Sequence, residues 1–182
     1  MAPSIVEFWE QERNESDRSL AISGAAIVDQ QLKELLEAFF IVAPKETKSL
    51  LSSTGALGAA GVRNQIAYVL GLIDKPTYLD IKLILKIRNI FAHSHLKIDF
   101  SETKIAGLAS SLEIPQWVGE PEDEEPGSPK GMYFSGVRGV LWHLVTEQAR
   151  LKKEGRRHCP EAIFPLGDRS GIEFDFKRDI YS

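Results

Sequence analysis

Residues 78–95 read YLDIKLILKIRNIFAHSH, and the pattern of this stretch decides the fold class. Apolar residues recur in it at the spacing of one helical face, namely Leu83, Ile84, Ile87 and Phe91. Other apolar residues cover a further side of the same helix. A helix that is apolar around most of its circumference is typical of the centre of a helical bundle. The sequence therefore predicts an all-α protein built around this helix.

The last two turns of this helix carry three strongly hydrogen-bonding side chains, Arg88, Asn89 and His93. Asn89 and His93 lie four residues apart and share a face, whereas Arg88 lies about 100° away around the axis. A buried helix must either satisfy such groups internally or use them in function. Because Ile90 and Phe91 precede it, we expect His93 to be mostly buried and hydrogen-bonded.

Apolar periodicity predicts further helices on both sides of the central one. They cover residues 4–12, 16–42, 45–51, 61–73, 101–112 and 132–154, and the central helix begins at Pro76 or Thr77. Ser16 and Ser101 are the expected N-caps of two of them. The long helix from Ser16 contains a patch of small residues, Gly24–Ala26, at which another helix can approach closely.

The charge distribution divides the chain into three parts. Residues 113–129 carry six acidic and no basic side chains and include the run EPEDEEPGSP. Because this run is acidic, Pro-rich and without apolar residues, we expect residues 119–130 to be mobile and dispensable. We expect a helical domain over residues 4–112, a linker over 113–130, and a C-terminal helix with an irregular tail over 131–182. Within the tail, the sequence predicts only a short strand at residues 172–176.

Length and composition exclude several classes of protein. The 182 residues can bury one sizeable core, and the net charge of −4 argues against attraction of the whole molecule to nucleic acid. The single cysteine, Cys159, excludes an internal disulfide and fits a cytoplasmic protein. No apolar run approaches the roughly 18 residues of a membrane span, and the N-terminal residues lack a signal-peptide pattern. We therefore expect no membrane association.

A set of spaced motifs runs along the first part of the chain. They read NESDRSLAISGAAIVD at 14–29, GALG at 55–58, Arg at 63, AYVLGLI at 67–73 and KIRNIFAH at 86–93. Together, over roughly residues 7–112, they resemble the mannitol operon repressor (MltR) family of bacterial regulators. The resemblance implies an all-helical transcriptional regulator.

Three positions depart from the residues that are usual in that family. Ala56 stands where a proline is usual, Ala60 where an aromatic residue is usual, and Ile90 where an aspartate follows Arg-Asn. The last departure removes a carboxylate beside Arg88. A site that needs a fixed ion pair at Arg88 is therefore weakened in this chain.

The sequence contains no helix-turn-helix, zinc-finger or basic-zipper pattern. The basic run over residues 150–157 is best explained as a solvated helix end, where cations interact favourably with the helix dipole. A repressor without a DNA-reading element has to act through another protein. We therefore expect a protein partner, either a regulator or another transcription component, and no direct sequence-specific binding to DNA. A homodimer with a purely structural role is a further alternative.

Arg88 and His93 also have the spacing found in the HEPN ribonucleases, which are all-helical proteins. RNA cleavage without a metal needs a base for the 2′-hydroxyl, a cation for the phosphorane and an acid for the 5′-oxygen. His93 titrates near neutral pH and can serve as base or acid, and Arg88 can bind phosphate bidentately. We expect the protein not to be an enzyme. The alternative is a HEPN-like ribonuclease with Arg88, Asn89 and His93 as catalytic residues, or an inactive relative of such an enzyme.

A structural role for these side chains is the simpler interpretation. Asp17 and Arg18 lie about three helical turns from Asp29 and so share a similar face. They can form buried ion pairs with Arg63 and Arg88. The predicted polar cluster consists of Asp17, Arg18, Asp29, Arg63, Arg88, Asn89 and His93.

The remaining chemistry-bearing residues predict neither a metal nor a cofactor. His95, His143 and Cys159 have no second ligand at a useful spacing. Gly55 and Gly58 could bring backbone amides near a phosphate, but no strand precedes them and no Lys-Ser/Thr pair follows. A turn between two helices is the better interpretation of that loop.

Overall fold

The structure is a computed structural model, and it describes residues 16–115 and 127–155. The helices are α1 Asp17–Phe39, α2 Pro44–Leu51, α3 Ala60–Val69, α4 Lys75–His93, α5 Thr103–Ala109 and α6 Pro129–Glu154. No strand occurs within the described residues, and the predicted all-α bundle is confirmed. None of these helices is long and apolar enough to cross a membrane. The predicted helix over 4–12, the acidic run up to residue 126, Cys159 and the tail lie outside the described residues.

α4 is the central helix, as the sequence predicts. It packs against α1, α3, α5 and α6. Its buried side chains form one continuous stripe: Thr77, Asp80, Ile81, Ile84, Leu85, Ile87 and Phe91. The helix begins at Lys75, because Asp74 Oδ1 accepts a hydrogen bond from the backbone N–H of Thr77 at 2.9 Å and caps the N-terminus.

α1 and α6 approach each other closely at the predicted patch of small residues. The Tyr133 hydroxyl donates to the carbonyl oxygen of Ala21 at 2.9 Å, and the Tyr133 ring is fully buried. Gly24 lies beneath this ring, where a Cβ would be 3.3 Å from Tyr133 Oη and 3.4 Å from Val137 Cγ2. A side chain at position 24 would therefore occupy space that α6 fills.

α6 begins at Pro129, two residues before the start expected for the C-terminal segment, with Ser128 as its N-cap. Ile114 and Pro115, which follow α5, are also buried. Both ends of the expected linker therefore belong to packed structure. The division into domains and the dispensability of the acidic run stay predictions.

Asp80 is a fully buried carboxylate on α4 that holds the segment after α5. Its Oδ1 accepts a hydrogen bond from the Glu113 N–H at 3.0 Å, and its Oδ2 accepts one from the Ile114 N–H at 2.9 Å. Burial raises the pKa of Asp80, although these two hydrogen bonds oppose the shift. Sequence reasoning did not single out this residue.

α3 ends at Val69, whereas the apolar pattern predicts a helix as far as residue 73. Gly71 has a φ of 70°, the left-handed conformation that terminates many helices. The Gly71 N–H donates to Tyr68 O at 3.0 Å, and the Leu72 N–H donates to Ala67 O at 2.9 Å. These are the two hydrogen bonds of a Schellman motif, and they satisfy carbonyl groups at the end of α3.

α1 and α5 are also shorter than predicted. α1 ends at Phe39, three residues before the expected end. Ser101 does not cap α5, because its N–H and hydroxyl both bind Asp99 Oδ1, at 2.9 Å and 2.5 Å. Glu102 occupies the cap position instead. The side chain of Ser101 therefore closes a turn before the helix rather than the helix end.

We expect Gly24→Val to lower the free energy of unfolding by about 1–3 kcal/mol, the usual range for overpacking a filled interior. Urea denaturation measures the change. Gly107→Val is the control, because a Cβ at that position of α5 meets no atom within 4 Å. Equal destabilisation by both substitutions would contradict the close packing of α6 on Gly24.

Candidate functional site

Asp29 and Arg63 form the ion pair that the predicted polar cluster includes. Arg63 Nε donates to Asp29 Oδ1 at 2.9 Å, and Arg63 Nη2 donates to Oδ1 at 2.5 Å and to Oδ2 at 2.7 Å. Arg63 Nη1 donates to Leu57 O at 2.6 Å and to Gly58 O at 2.9 Å. All five N–H groups of the guanidinium therefore have acceptors. The pair connects α1, α3 and the loop between α2 and α3.

The glycines of that loop serve its own packing. A Cβ at Gly55 would lie 2.3 Å from the carbonyl oxygens of Ser49 and Leu50, and one at Gly58 would lie 2.6 Å from Ser53 O. Such distances exclude any residue other than glycine without a backbone shift. The loop folds back on the end of α2, which agrees with a turn rather than with a phosphate cradle.

Asp17 and Arg18 bind the segment that follows α4 and do not pair with Arg63 or Arg88. Arg18 Nη2 donates to Ser94 O at 2.8 Å and to Leu96 O at 3.1 Å. The expected ion pairs across the cluster are therefore wrong for these two residues. The start of α1 instead holds the segment that follows α4 through these hydrogen bonds, and we call this arrangement the clamp.

Asp17 contributes to the same clamp through the backbone. Its Oδ2 accepts a hydrogen bond from the Phe100 N–H at 3.0 Å, and its Oδ1 lies 3.5 Å from Lys130 Nζ. The Phe100 ring lies with its centroid 5.1 Å from the ring centroids of both Phe91 and Tyr133. Asp17 thus fixes an aromatic side chain that joins α4 to α6.

Within residues 16–115 and 127–155, Arg88, Asn89 and His93 do not tie the end of α4 to Asp17, Asp29 or a loop carbonyl. Arg88 is half-buried, and its Nε is a buried donor without a hydrogen-bond partner. Asn89 is exposed. A cationic side chain with a buried, unused donor is a candidate for binding an anion, because leaving that donor unpaired is unfavourable.

His93 is exposed, so the expectation that it is buried and hydrogen-bonded is wrong. The physical reason is its position around the helix. At about 100° per residue, His93 lies roughly 200° from Phe91 and 240° from Ile87, both of which are fully buried. Apolar neighbours in the sequence therefore do not cover it, because those neighbours point to the opposite side.

A groove between the start of α4 and the middle of α6 was not predicted from the sequence. It has a volume of about 420 Å³, and its lining includes Asp74, Thr77, Ile114, Trp142, His143 and Glu147. We call it the Trp142 groove, because the side chain of Trp142 is 77% exposed. The sequence does contain one indication of this groove. Trp142 lies outside the apolar stripe of α6, which includes Val140 and Leu144, so an exposed tryptophan could be expected there.

The polar groups of the Trp142 groove are positioned by hydrogen bonds. Thr77 Oγ1 and His143 Nδ1 are 3.3 Å apart and hydrogen-bonded. The pKa of Asp74 is lowered. Partial burial acts to raise this pKa, but the hydrogen bonds from Thr77 and the charge of His143 outweigh it. A hydrogen bond from Arg150 lowers the pKa of Glu147. The groove therefore combines an exposed indole with two carboxylates that are ionised at neutral pH.

Residues 16–115 and 127–155 contain no group of three His, Cys, Asp or Glu side chains that could hold a metal ion. His95 is exposed, and His143 belongs to the Trp142 groove. The Trp142 groove and the end of α4 are two places in the described residues where polar side chains face a groove or solvent without being used up by the fold.

The sequence model of a family described as the mannitol repressor matches residues 4–131. The chain belongs to the mannitol repressor family. The resemblance that the spaced motifs indicate is thereby confirmed. No curated protein matches the chain.

The fold is similar to that of a chain in the X-ray structure of the MtlR-HPr complex from Escherichia coli. The TM-score is 0.52 and the sequence identity 21%, and the match covers 78% of this chain and 91% of that chain. At this identity the likeness shows a shared fold.

We expect Asp29→Asn to lower the free energy of unfolding by about 3 kcal/mol, because it leaves the charge of Arg63 buried and unpaired. The Arg63 side chain is 7% exposed and that of Asp29 is 32% exposed. Glu147→Gln is the control, since the Arg150 side chain that loses this partner is 50% exposed and also pairs with Glu154, so stability is expected to change by less than about 1 kcal/mol. Chemical denaturation of both variants measures the difference. A loss for Asp29→Asn no larger than that for the control would show that the pair is not important for stability.

Proposed function

We propose that this chain is a transcriptional regulator of the mannitol repressor type that acts by binding another protein. The observation that carries the proposal is its membership of the mannitol repressor family over residues 4–131. The net charge of −4 and the lack of a recognised DNA-reading motif favour action through a partner rather than direct DNA readout. Such a regulator would work in the cytoplasm.

HPr is the first partner to test. A chain that shares this fold was crystallised in a complex with HPr. An identity of 21% does not carry the contact residues across, so the binding surface has to be argued from this chain itself. The partner could equally be another regulator or a component of the transcription machinery, and HPr is preferred because it is the partner seen on a related fold.

The Trp142 groove is the surface that we assign to this partner. Large aromatic side chains are common anchors of protein–protein interfaces, and flanking charges provide specificity and faster association. Trp142 is the most exposed of the large apolar side chains in the described residues, and Asp74 and Glu147 lie beside it in the same groove. The interface would therefore be a mixed one, with an aromatic centre and a charged rim.

We expect the purified chain to bind HPr encoded by the same genome, and Trp142→Ala to weaken binding at least about tenfold, or about 1.4 kcal/mol. Isothermal titration calorimetry measures both affinities. Leu96→Ala is the matched control, because Leu96 is 75% exposed and Trp142 is 77% exposed.

Four outcomes would count against the proposal, three from calorimetry and one from a gel-shift assay with operator DNA. Absence of HPr binding to the wild type would remove HPr as the partner. Unchanged binding by Trp142→Ala, or an equal loss in Leu96→Ala, would move the contact away from the Trp142 groove. A tight, sequence-selective shift of operator DNA by the chain alone would contradict action through a protein.

A second candidate function, a HEPN-like ribonuclease or its inactive relative, is favoured by two observations. Arg88 has a buried donor without a partner, and His93 reaches solvent, as a catalytic base or acid must. Ile90 still stands where the family usually has an acidic residue. The regulator proposal therefore takes precedence, and the end of α4 is tested separately.

If the protein is a regulator and not a nuclease, we expect the wild type to leave RNA intact when a chelator removes free metal ions. Gel analysis of a labelled RNA, with His93→Ala and His95→Ala as matched variants, checks this. Both histidines are exposed, so both variants should keep the wild-type stability within about 0.5 kcal/mol. Cleavage by the wild type and by His95→Ala, but not by His93→Ala, would make the protein an enzyme.

A further inference from the structure

Exposed apolar side chains concentrate in one part of the sequence. Among the ten exposed large apolar side chains of the described residues, seven lie between positions 41 and 70. Four of these belong to α3 or to the residue after it: Val62, Tyr68, Val69 and Leu70. Val69 is 72% exposed, which is unusual for valine in a regular helix of a small soluble domain.

The outer face of α3 carries no charge. From Gly55 to Ile73 the sequence contains one charged residue, Arg63, and its guanidinium points inward to Asp29 and the preceding loop. The exposed residues of α3 are Gly61, Val62, Gln65, Tyr68 and Val69. Val62, Gln65 and Val69 follow the i, i+3, i+7 spacing of one stripe. We call this stripe and its neighbours the α3 face.

Other helices of the described chain differ from α3 in this respect. Lys45 and Lys48 are exposed on α2, Lys82 and Lys86 on α4, and Arg150 on α6. A surface helix ordinarily places charged residues on its outer side. An outer side that lacks them indicates that another surface covers α3.

Two stacked tyrosine rings form the edge of the α3 face. The rings of Tyr68 and Tyr78 stack with centroids 4.7 Å apart and an angle of 15° between their planes. Lys82 Nζ lies 5.3 Å from the centroid of the Tyr78 ring and marks the point at which charge begins again. The Schellman motif at Gly71 fixes the C-terminal end of the helix. A partner would therefore meet a preformed surface and lose little entropy in ordering it.

We infer that the α3 face is where two copies of this chain associate about a twofold axis. In a twofold interface each residue near the axis meets its own counterpart, so a charge there would face a charge of the same sign. A face without charges avoids this repulsion and is self-compatible. A different protein gives no such reason to exclude charge, because complementary charges favour association between unlike partners.

The inferred interface places Val69 near the axis, because it is the most exposed apolar residue of the stripe. The inference goes beyond the proposed function and does not depend on the Trp142 groove, which is lined by α4, α6 and Ile114. A dimer could therefore form whether or not HPr binds.

Sedimentation equilibrium over a roughly hundredfold range of concentration tests the inference, since dimerisation follows mass action. We expect the mass of the wild type to approach twice that of one chain. Val69→Asp should raise the dimer dissociation constant at least about tenfold, because two like charges meet near the axis. Leu96→Asp is the matched control, as Leu96 is 75% exposed but lies outside the α3 face.

A charge-exchange experiment distinguishes a second copy from any other occupant and from misfolding. Val69→Asp and Val69→Lys should each be monomeric with an unchanged circular dichroism spectrum, and an equimolar mixture should restore the dimer. A wild type that stays monomeric, a Val69→Asp variant that stays dimeric, or a mixture that stays monomeric would each overturn the inference. Equal disruption by Leu96→Asp would also overturn it.

Discussion

A helix enclosed by its neighbours must bury the polar groups that lie on its inner side. In α4 some of these groups have hydrogen-bond partners and one does not. In its first half the polar groups have partners: Thr77 binds His143, and Asp80 accepts two backbone N–H groups. In its last turns Arg88 keeps a buried Nε without an acceptor. The second half of α4 therefore leaves one buried polar group unpaired, although it also contributes the buried side chains of Ile87 and Phe91 to the core.

The sequence predicts those features of the fold that depend on local periodicity. The apolar stripe of α4 and the small residues at Gly24 are readable because their spacing reflects one helix and the face it turns to its neighbours. The ends of α3 and α5 are less readable, since they depend on a Schellman motif at Gly71 and on a turn that engages Ser101. Such ends are decided by a few hydrogen bonds rather than by an extended pattern.

The site is predicted less completely than the fold, for a related reason. The pairing of Asp29 with Arg63 could be anticipated, because both lie on inward faces and have opposite charge. Arg18 could not be assigned to the carbonyls of Ser94 and Leu96, because no local pattern shows where an irregular segment will lie. His93 is exposed although its sequence neighbours are apolar, because the side chain of the neighbouring Phe91 lies on another side of the helix. The Trp142 groove is not readable from the sequence, because it forms only where α4 and α6 meet.

The contact between Tyr133 and Ala21 joins residues that are 112 positions apart, and that between Gln148 and Gln31 joins residues 117 positions apart. Contacts of such sequence separation close long loops, and this closure costs chain entropy that is lost before the contacts repay it. During synthesis on the ribosome, α1 emerges long before α6. Until α6 follows, the surface around Gly24 has no occupant, so the nascent chain presents an open apolar strip to which a chaperone can bind.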